Sequence, residues 1–400
     1  MRRFAAAIAL LLVVGSFAPS GSATAARQTS DSLTIWWPSS LYPAVDTTAQ
    51  ALLDQQRVRY ANQAGITINI RVKRPEGIGG IYSTLRNAAV VAPATVPDLI
   101  IVRRSDLLTA VQDGLVAPID VTALRIDDWF SSALTLGTVG GVQYGIPYTL
   151  ELQHMVYLLK AFDSQPHRLA DIFNAKQSYL FPGNGSKGVN ATLLGQYLAA
   201  GGRMVDDQGE HTLDREPLVR TLSAYQRASD DGLIGADWLD YNDPDSYLAL
   251  LTNSSVTAGQ IDSTSYLGMG TKEEAAFGYA PIPDGSGVVD GWLWALTAQE
   301  PQQRERAADL LRYLLDTDRL SMFTGNLGVL PARRSALEAW ETDYATFADA
   351  LLRSNIVPPP DEIDPMLGAA LQAAFESVIT GKQSASAATD AAIAQLAELQ

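Results

Sequence analysis

Two short stretches gather residue types that can read a polar ring. Trp37, Ser39, Ser40 and Tyr42 follow one apolar run, and Arg103, Arg104 and Ser105 follow another. An indole face stacks on the apolar C–H face of a polyhydroxylated ring, while hydroxyl and guanidinium groups hydrogen-bond its oxygens. Both stretches lie where a strand would deliver its carboxyl end, the place where open α/β sheets hold ligands. Plain structure competes with this reading. Alternation along a strand should bury one of Trp36 and Trp37 as a packed core indole, and Arg103 with Arg104 could equally be a solvated loop pair. Trp292 and Trp294 are spaced so that they face the same side of any strand that holds them.

Catalytic arrangements find little support. The chain has no cysteine, so thiolate zinc sites and cysteine nucleophiles are excluded. His154, His167 and His211 are scattered and lack metal-ligand spacing. Ser186 has Asn184 where a nucleophile elbow needs glycine. The run from Gly183 to Gly188 has the form GxGxxG, with Asp206 further on. A dinucleotide site opens directly from a strand into a helix of an N-terminal unit, whereas this run follows Pro182 in mid-chain, so no cofactor is expected. Asp240, Asn242, Asp243 and Asp245 crowd like calcium ligands but lack the glycine and distant glutamate of a calcium loop. Asp243-Pro244 reads instead as a helix start, and no metal is expected. Carboxylate pairs such as Asp127-Asp128 read as helix-start residues; a glycosidase built on a carboxylate pair stays an alternative.

The positioning elements follow from periodicity. Residues 33–37 read as a strand and 46–64 as a helix, with Ala49, Leu52, Leu53 and Tyr60 on one stripe and Gly65 closing it. Ile66, Ile68, Ile70 and Val72 alternate with polar residues, as in a half-buried strand. Residues 78–91 read as helix, and 98–102 as a continuous apolar strand inside a covered sheet. Residues 105–113 read as a short helix capped by Ser105. The middle, 150–269, is dominated by helical patterns, clearest at 189–200 and 217–230. A strand at 277–282, an amphipathic helix at 301–316, a stiff connector at Pro358, Pro359 and Pro360, and an alanine-rich helix at 384–399 complete the chain. Strands alternating with helices make the fold class α/β.

Length and composition bound the rest. The 400 residues suit two lobes, and 47% hydrophobic against 18% charged residues supports sizeable cores. A net charge of -15 repels nucleic acid, so no nucleic-acid partner is expected. Met1-Arg2-Arg3, an apolar run over 4–17 and Ala23-Thr24-Ala25 read as an export signal cleaved near Ala26; a retained anchor is the alternative. With no cysteine to acylate, the exported chain would be periplasmic or extracellular without a cysteine-linked lipid.

The order of segments resembles the extracellular solute-binding proteins of the family that includes maltose-binding protein. The likeness runs over 33–399 through LTIWWPSS, VPDLIIVRRSDLLTAVQDGLVAPID, GVQYGIPYTLELQHMVYLL, FGYAPIPDG with GWLWAL, AADLLRYLLDTDRLSMFTGNLGVLPAR and ITGKQSASAATDAAIAQL. It implies a periplasmic-binding-protein type II fold, two α/β lobes with a ligand cleft between them. The implied division is a signal at 1–25, an N-terminal lobe at 31–148 plus 284–332, and a C-terminal lobe at 149–283 plus 333–400. It further implies a monomer that binds a sugar without cleaving it and delivers it to the permease subunits of an importer of the ATP-binding cassette type. A sensor docking on a membrane receptor shares the same fold. Glu151 matches a ligand-contacting glutamate beside the first crossover, and Trp292 and Trp294 fall on the return crossover. Asn190 opens a helix that could reach the cleft from the second lobe. Asp262, Ser263 and Tyr266 occupy a stretch where sugar-binding relatives place an aromatic followed by small residues, but the tryptophan is missing; Gly368 likewise stands where some relatives have a stacking tryptophan.

Overall fold

The computed structural model describes residues 31–185, 188–269, 276–354, 356–357 and 363–399. The expected export signal over residues 1–25, Ser186 of the glycine-rich run and the expected Pro358–Pro360 connector lie outside them. Twelve strands are present among the described residues: β1 (Ser32–Pro38), β2 (Thr67–Lys73), β3 (Leu99–Val102), β4 (Thr138–Val139), β5 (Val142–Gln143), β6 (Gly145–Leu158), β7 (Tyr179–Leu180), β8 (Ala258–Asp262), β9 (Phe277–Ala280), β10 (Gly287–Leu296), β11 (Leu330–Pro331) and β12 (Ile356–Val357). All but the β4–β5 pair join one ten-stranded sheet in the order β2-β1-β3-β10-β6-β8-β7, with β9 and β11 also on β6 and β12 on β10.

The first three strands are parallel, as the apolar run of β3 requires: all four of its residues are buried. β10 then runs antiparallel to both β3 and β6. β6 is 14 residues long and changes neighbours along its length. Its first part pairs with β10 through Gln153, and its second part pairs with β8 and β9. One strand thus ties the β1–β3 end of the sheet to the β7–β9 end.

Helices cover both faces of β1, which corrects the expectation that one of its two indoles would be free. Leu33, Ile35 and Trp37 pack in one core cluster and Trp36 in another, and both tryptophans are at most 2% exposed. A strand covered on both sides buries both parities. Edge strand β2 keeps the expected alternation over its first residues, with Ile68 buried between exposed Thr67 and Asn69. Gly65 closes the helix Thr48–Ala64 at φ 66°, the left-handed conformation glycine adopts without strain.

Two local expectations change. The helix after β3 is Arg104–Gln112, so its cap is Arg103, not Ser105. Arg103 is extended (φ -76°, ψ 164°), and its carbonyl accepts the Leu107 amide at 3.0 Å. The middle of the chain, read as helical, contributes strands β7 and β8 to the central sheet. The residues of β8, AGQID, carry too few β-branched or aromatic groups to announce a strand. Its pairing with β6 and β7 supplies what propensity lacks.

Candidate functional site

The cap at the end of β3 frees the Arg103 side chain to cross β10 and reach β6. Its Nη2 donates to Glu151 Oε2 at 2.6 Å and its Nη1 to Asp290 Oδ2 at 3.2 Å. The guanidinium carbon lies 4.3 Å from the centre of the Trp292 ring, a cation–π distance. Glu151 and Asp290 are directly opposite on antiparallel β6 and β10. Like charges so placed repel, and the guanidinium between them offsets that cost. Burial lowers the Arg103 pKa, but the Asp290 and Glu151 charges outweigh it, so the net shift is upward and Arg103 stays charged.

Alternation along β6 puts Gln153 on the same face as Glu151, and Gln153 is opposite Asp262 on β8. A directed chain of hydrogen bonds runs over this surface. Thr192 Oγ1 donates to Gln260 Oε1 at 2.6 Å, Gln260 Nε2 donates to Gln153 Oε1 at 2.7 Å, and Gln153 bonds the Asp262 carboxyl. Burial, then the charges of Glu151 and Asp245, push the Asp262 carboxyl up to about 8. Its proton is therefore retained at neutral pH.

These groups line a cleft of about 410 Å³, within the size range of small-molecule sites. Glu76, Arg103, Arg104 and Ser105 come from the β1–β3 end of the sheet. Asn184, Asn190, Thr192, Asn242 and Asp243 come from the other end, and Glu151, Gln153, Val288, Val289 and Asp290 come from the shared strands β6 and β10. A second cavity, of about 550 Å³, lies among the helices Leu169–Asn174, Ala191–Ala199 and Arg215–Asp230. It is larger, but its lining includes no residue from the carboxyl end of β3 and none of the polar network on β6 and β8. The cleft at the strand ends is therefore the candidate site.

Of the residues expected at the site, Arg103, Arg104, Ser105, Glu151, Asn190 and Asp262 line this cleft. Two of them are committed to structure. Arg104 Nη1 donates to the carbonyls of Thr135, Leu136 and Thr138 at 2.6–3.0 Å. Asn190 caps the helix Ala191–Ala199, accepting the Leu193 amide at 2.8 Å and donating to Gln372 Oε1 at 3.0 Å. The others fall elsewhere. Trp37 is fully buried, edge-on to Tyr42, Tyr148, Trp294 and Phe323 at 5.4–6.2 Å, so its face is unavailable for stacking on a ligand. Trp294 is in the same cluster, and Tyr42 packs against it. Trp292 shares the face of Trp294, as their spacing predicts, but its ring lies under Arg103. Ser39 and Ser40 are exposed outside the cleft lining. Ser263 is buried, its Oγ accepting the Leu152 amide at 3.0 Å.

Sequence reasoning missed Glu76, Gln153, Thr192, Gln260, Asp243 and Asp290 as site residues. Alternation from Glu151 would have found Gln153, and alternation from Trp292 would have found Asp290. Gln260 lay hidden with β8. Asp243 was read as a cap, and it is one: its carboxylate accepts the Ser246 amide at 3.0 Å while it also faces the cleft. His154 takes no part. It is buried, and its Nδ1 donates to the Met155 carbonyl, leaving Nε2 to accept from the Tyr344 hydroxyl at 2.9 Å. Burial lowers its pKa to about 4 and keeps it neutral.

A raised carboxyl has a consequence for stability. Between about pH 4, where an unfolded aspartate titrates, and the folded value near 8, the folded chain holds a proton that the unfolded chain has lost. The unliganded protein therefore loses stability on this account as pH rises through that window. Asp262→Asn removes the titration, so its melting temperature should gain on the parent's from acid to mildly alkaline pH. Parallel melting curves across the window would refute the raised carboxyl.

Comparison with known proteins gives one family. Residues 56–349 match the family described as bacterial extracellular solute-binding protein. The chain is similar in structure to the sugar-binding protein MalE of Xanthomonas citri, with a TM-score of 0.69 and 16% identity over 92% of this chain and 98% of that one. It is also similar to the cyclic alpha-maltosyl-1,6-maltose binding protein of Arthrobacter globiformis, with a TM-score of 0.68 and 18% identity over 92% and 98% of the two chains. The GacH receptor of Streptomyces glaucescens, solved unliganded and with acarbose, has a TM-score of 0.66 and 17% identity over the same shares. No curated protein matches the sequence. The chain belongs to the bacterial extracellular solute-binding proteins.

Proposed function

We propose that this exported solute-binding protein captures a mono- or oligosaccharide in the cleft at the ends of β3, β6 and β8, and presents it to the permease subunits of an ATP-binding-cassette importer. The observation that carries the reading is the cleft itself. Polar groups from both ends of one sheet converge on about 410 Å³, and they are bridged by the shared strands β6 and β10. The structurally similar MalE and cyclic-maltosyl-maltose-binding proteins bind sugars, which favours the same class here. On this reading residues 31–148 with 284–332 form one lobe, 149–283 with 333–400 the other, and β6 and β10 are the hinge. The chain works as a monomer and leaves its solute unchanged. Glu151, Asp262, Gln153 and Asp290 accept from or donate to ligand hydroxyls, and Arg103 holds two of these acids in place.

A titration of sugars followed by melting temperature and small-angle scattering tests this. A sugar at about a hundred times its dissociation constant adds about 2.7 kcal/mol to stability. It should also shrink the radius of gyration, because a ligand that touches both lobes favours the closed population. An unchanged radius with proven binding would sink the hinge, and release of a cleaved sugar would sink the binding-only reading.

A further inference from the structure

The lining of the cleft is unusual for a site that stacks neutral sugar rings. None of its residues is aromatic among the described residues, and the nearby Trp292 face is already covered by Arg103. Recognition there must rest on hydrogen bonds and charge. The charges are one-sided: the carboxylates of Glu76, Glu151, Asp243 and Asp290, with the protonated Asp262 among them, face Arg103 and Arg104. Both cations are spent on the protein, Arg103 on Glu151 and Asp290, and Arg104 on backbone carbonyls. That leaves carboxyl groups from opposite ends of the sheet, Glu76 at one and Asp243 and Asp262 at the other, with no ion pair among the described residues to balance them.

Further acids stand behind these. Burial and then the Glu76 charge raise Asp106 to about 6, and the Asp245 charge adds to the upward shift of Asp262. Negative potential in the cleft therefore disfavours any further anion and favours a cation.

We infer that the solute carries a positive charge, as a protonated amine on a polyhydroxylated frame such as an amino sugar. This rests on the cleft being the solute site. The ammonium would sit among Glu76, Asp243 and Asp262, and the ring hydroxyls would pair with Gln153, Glu151 and Asp290. A cation beside Asp262 favours its ionised form, so binding releases a proton that a neutral sugar would leave in place.

The experiment is calorimetry with matched probes: D-glucosamine, D-galactosamine and D-mannosamine against their neutral parents and N-acetyl forms, with putrescine and spermidine as ring-free amines. One amino sugar should bind at least about tenfold tighter than its neutral and acetylated counterparts. Its affinity should fall with added salt, and its binding enthalpy should vary with the ionisation heat of the buffer. The preference should disappear in Glu76→Gln and Asp262→Asn, whose unliganded melting curves check that they fold. A neutral or acetylated sugar binding as tightly as its amine overturns the charge and leaves the sugar reading intact. Binding of putrescine or spermidine alone upholds the charge and overturns the sugar reading. A panel in which no amine binds overturns the inference.

Discussion

Trp37→Ala should cost the protein about 3–5 kcal/mol, the usual loss for truncating a large buried aromatic. The ring is fully buried and edge-on to four aromatic neighbours, Tyr42, Tyr148, Trp294 and Phe323. Each such pair adds about 0.5–1.5 kcal/mol beyond the area it hides. Domains have only about 5–15 kcal/mol in total, so the variant should be recovered in low yield and melt early. Trp37→Phe should fall far less, because the indole Nε1 has no hydrogen-bond partner among the described residues and phenylalanine keeps most of the apolar contact. Denaturant unfolding of the two variants measures this. A Trp37→Ala protein that is as stable as the parent but has lost its ligand would place the ring in the cleft after all.

Arg103→Met keeps the length and apolar stem of the side chain and removes its charge. At neutral pH the variant should lose about 2–3 kcal/mol, since hydrogen bonds to charged groups are worth about 1.5–3 kcal/mol each. The more exposed Asp290 contact contributes the smaller part. The loss should depend on pH with a definite sign. Without the guanidinium, the ionised carboxylates of Glu151 and Asp290, directly opposite on β6 and β10, repel. That repulsion exists only while both groups are charged, so the deficit grows as pH rises through the carboxylate range and shrinks in acid. Melting curves from acid to neutral pH decide the matter. A deficit of equal size throughout would mean that Arg103 acts by packing on Trp292 rather than by neutralising the two acids. Solute affinity should fall with the same substitution, because both carboxylates lose the group that orients them.

Much of the local architecture was legible in the residues. Glycine at a helix end, alternation along β2 and the apolar run of β3 mark their elements because those signals act within a few positions. The resemblance to solute-binding proteins pointed to Glu151 and Asp262, and strand-end reasoning to Arg103; all three line the candidate cleft. β8 was not legible: its residues have weak strand propensity, and its strand exists because β6 and β7 pair with it. The aromatic site residues failed for a related reason. Trp37 looked available because nothing local reveals that both faces of β1 are covered.

The sequence by itself determined that this is an α/β chain, acidic, free of cysteine chemistry, with charged groups at the ends of its strands. Only the tertiary structure decided which of those groups meet. The order β3-β10-β6-β8 sets Asp290 against Glu151, Gln153 against Asp262, and Arg103 across the first pair. Strand order and register come from pairing between segments far apart in the chain, where hydrogen bonds and burial on both faces select the neighbour. Periodicity within a segment says which face a side chain takes, and only the pairing says what that side chain confronts.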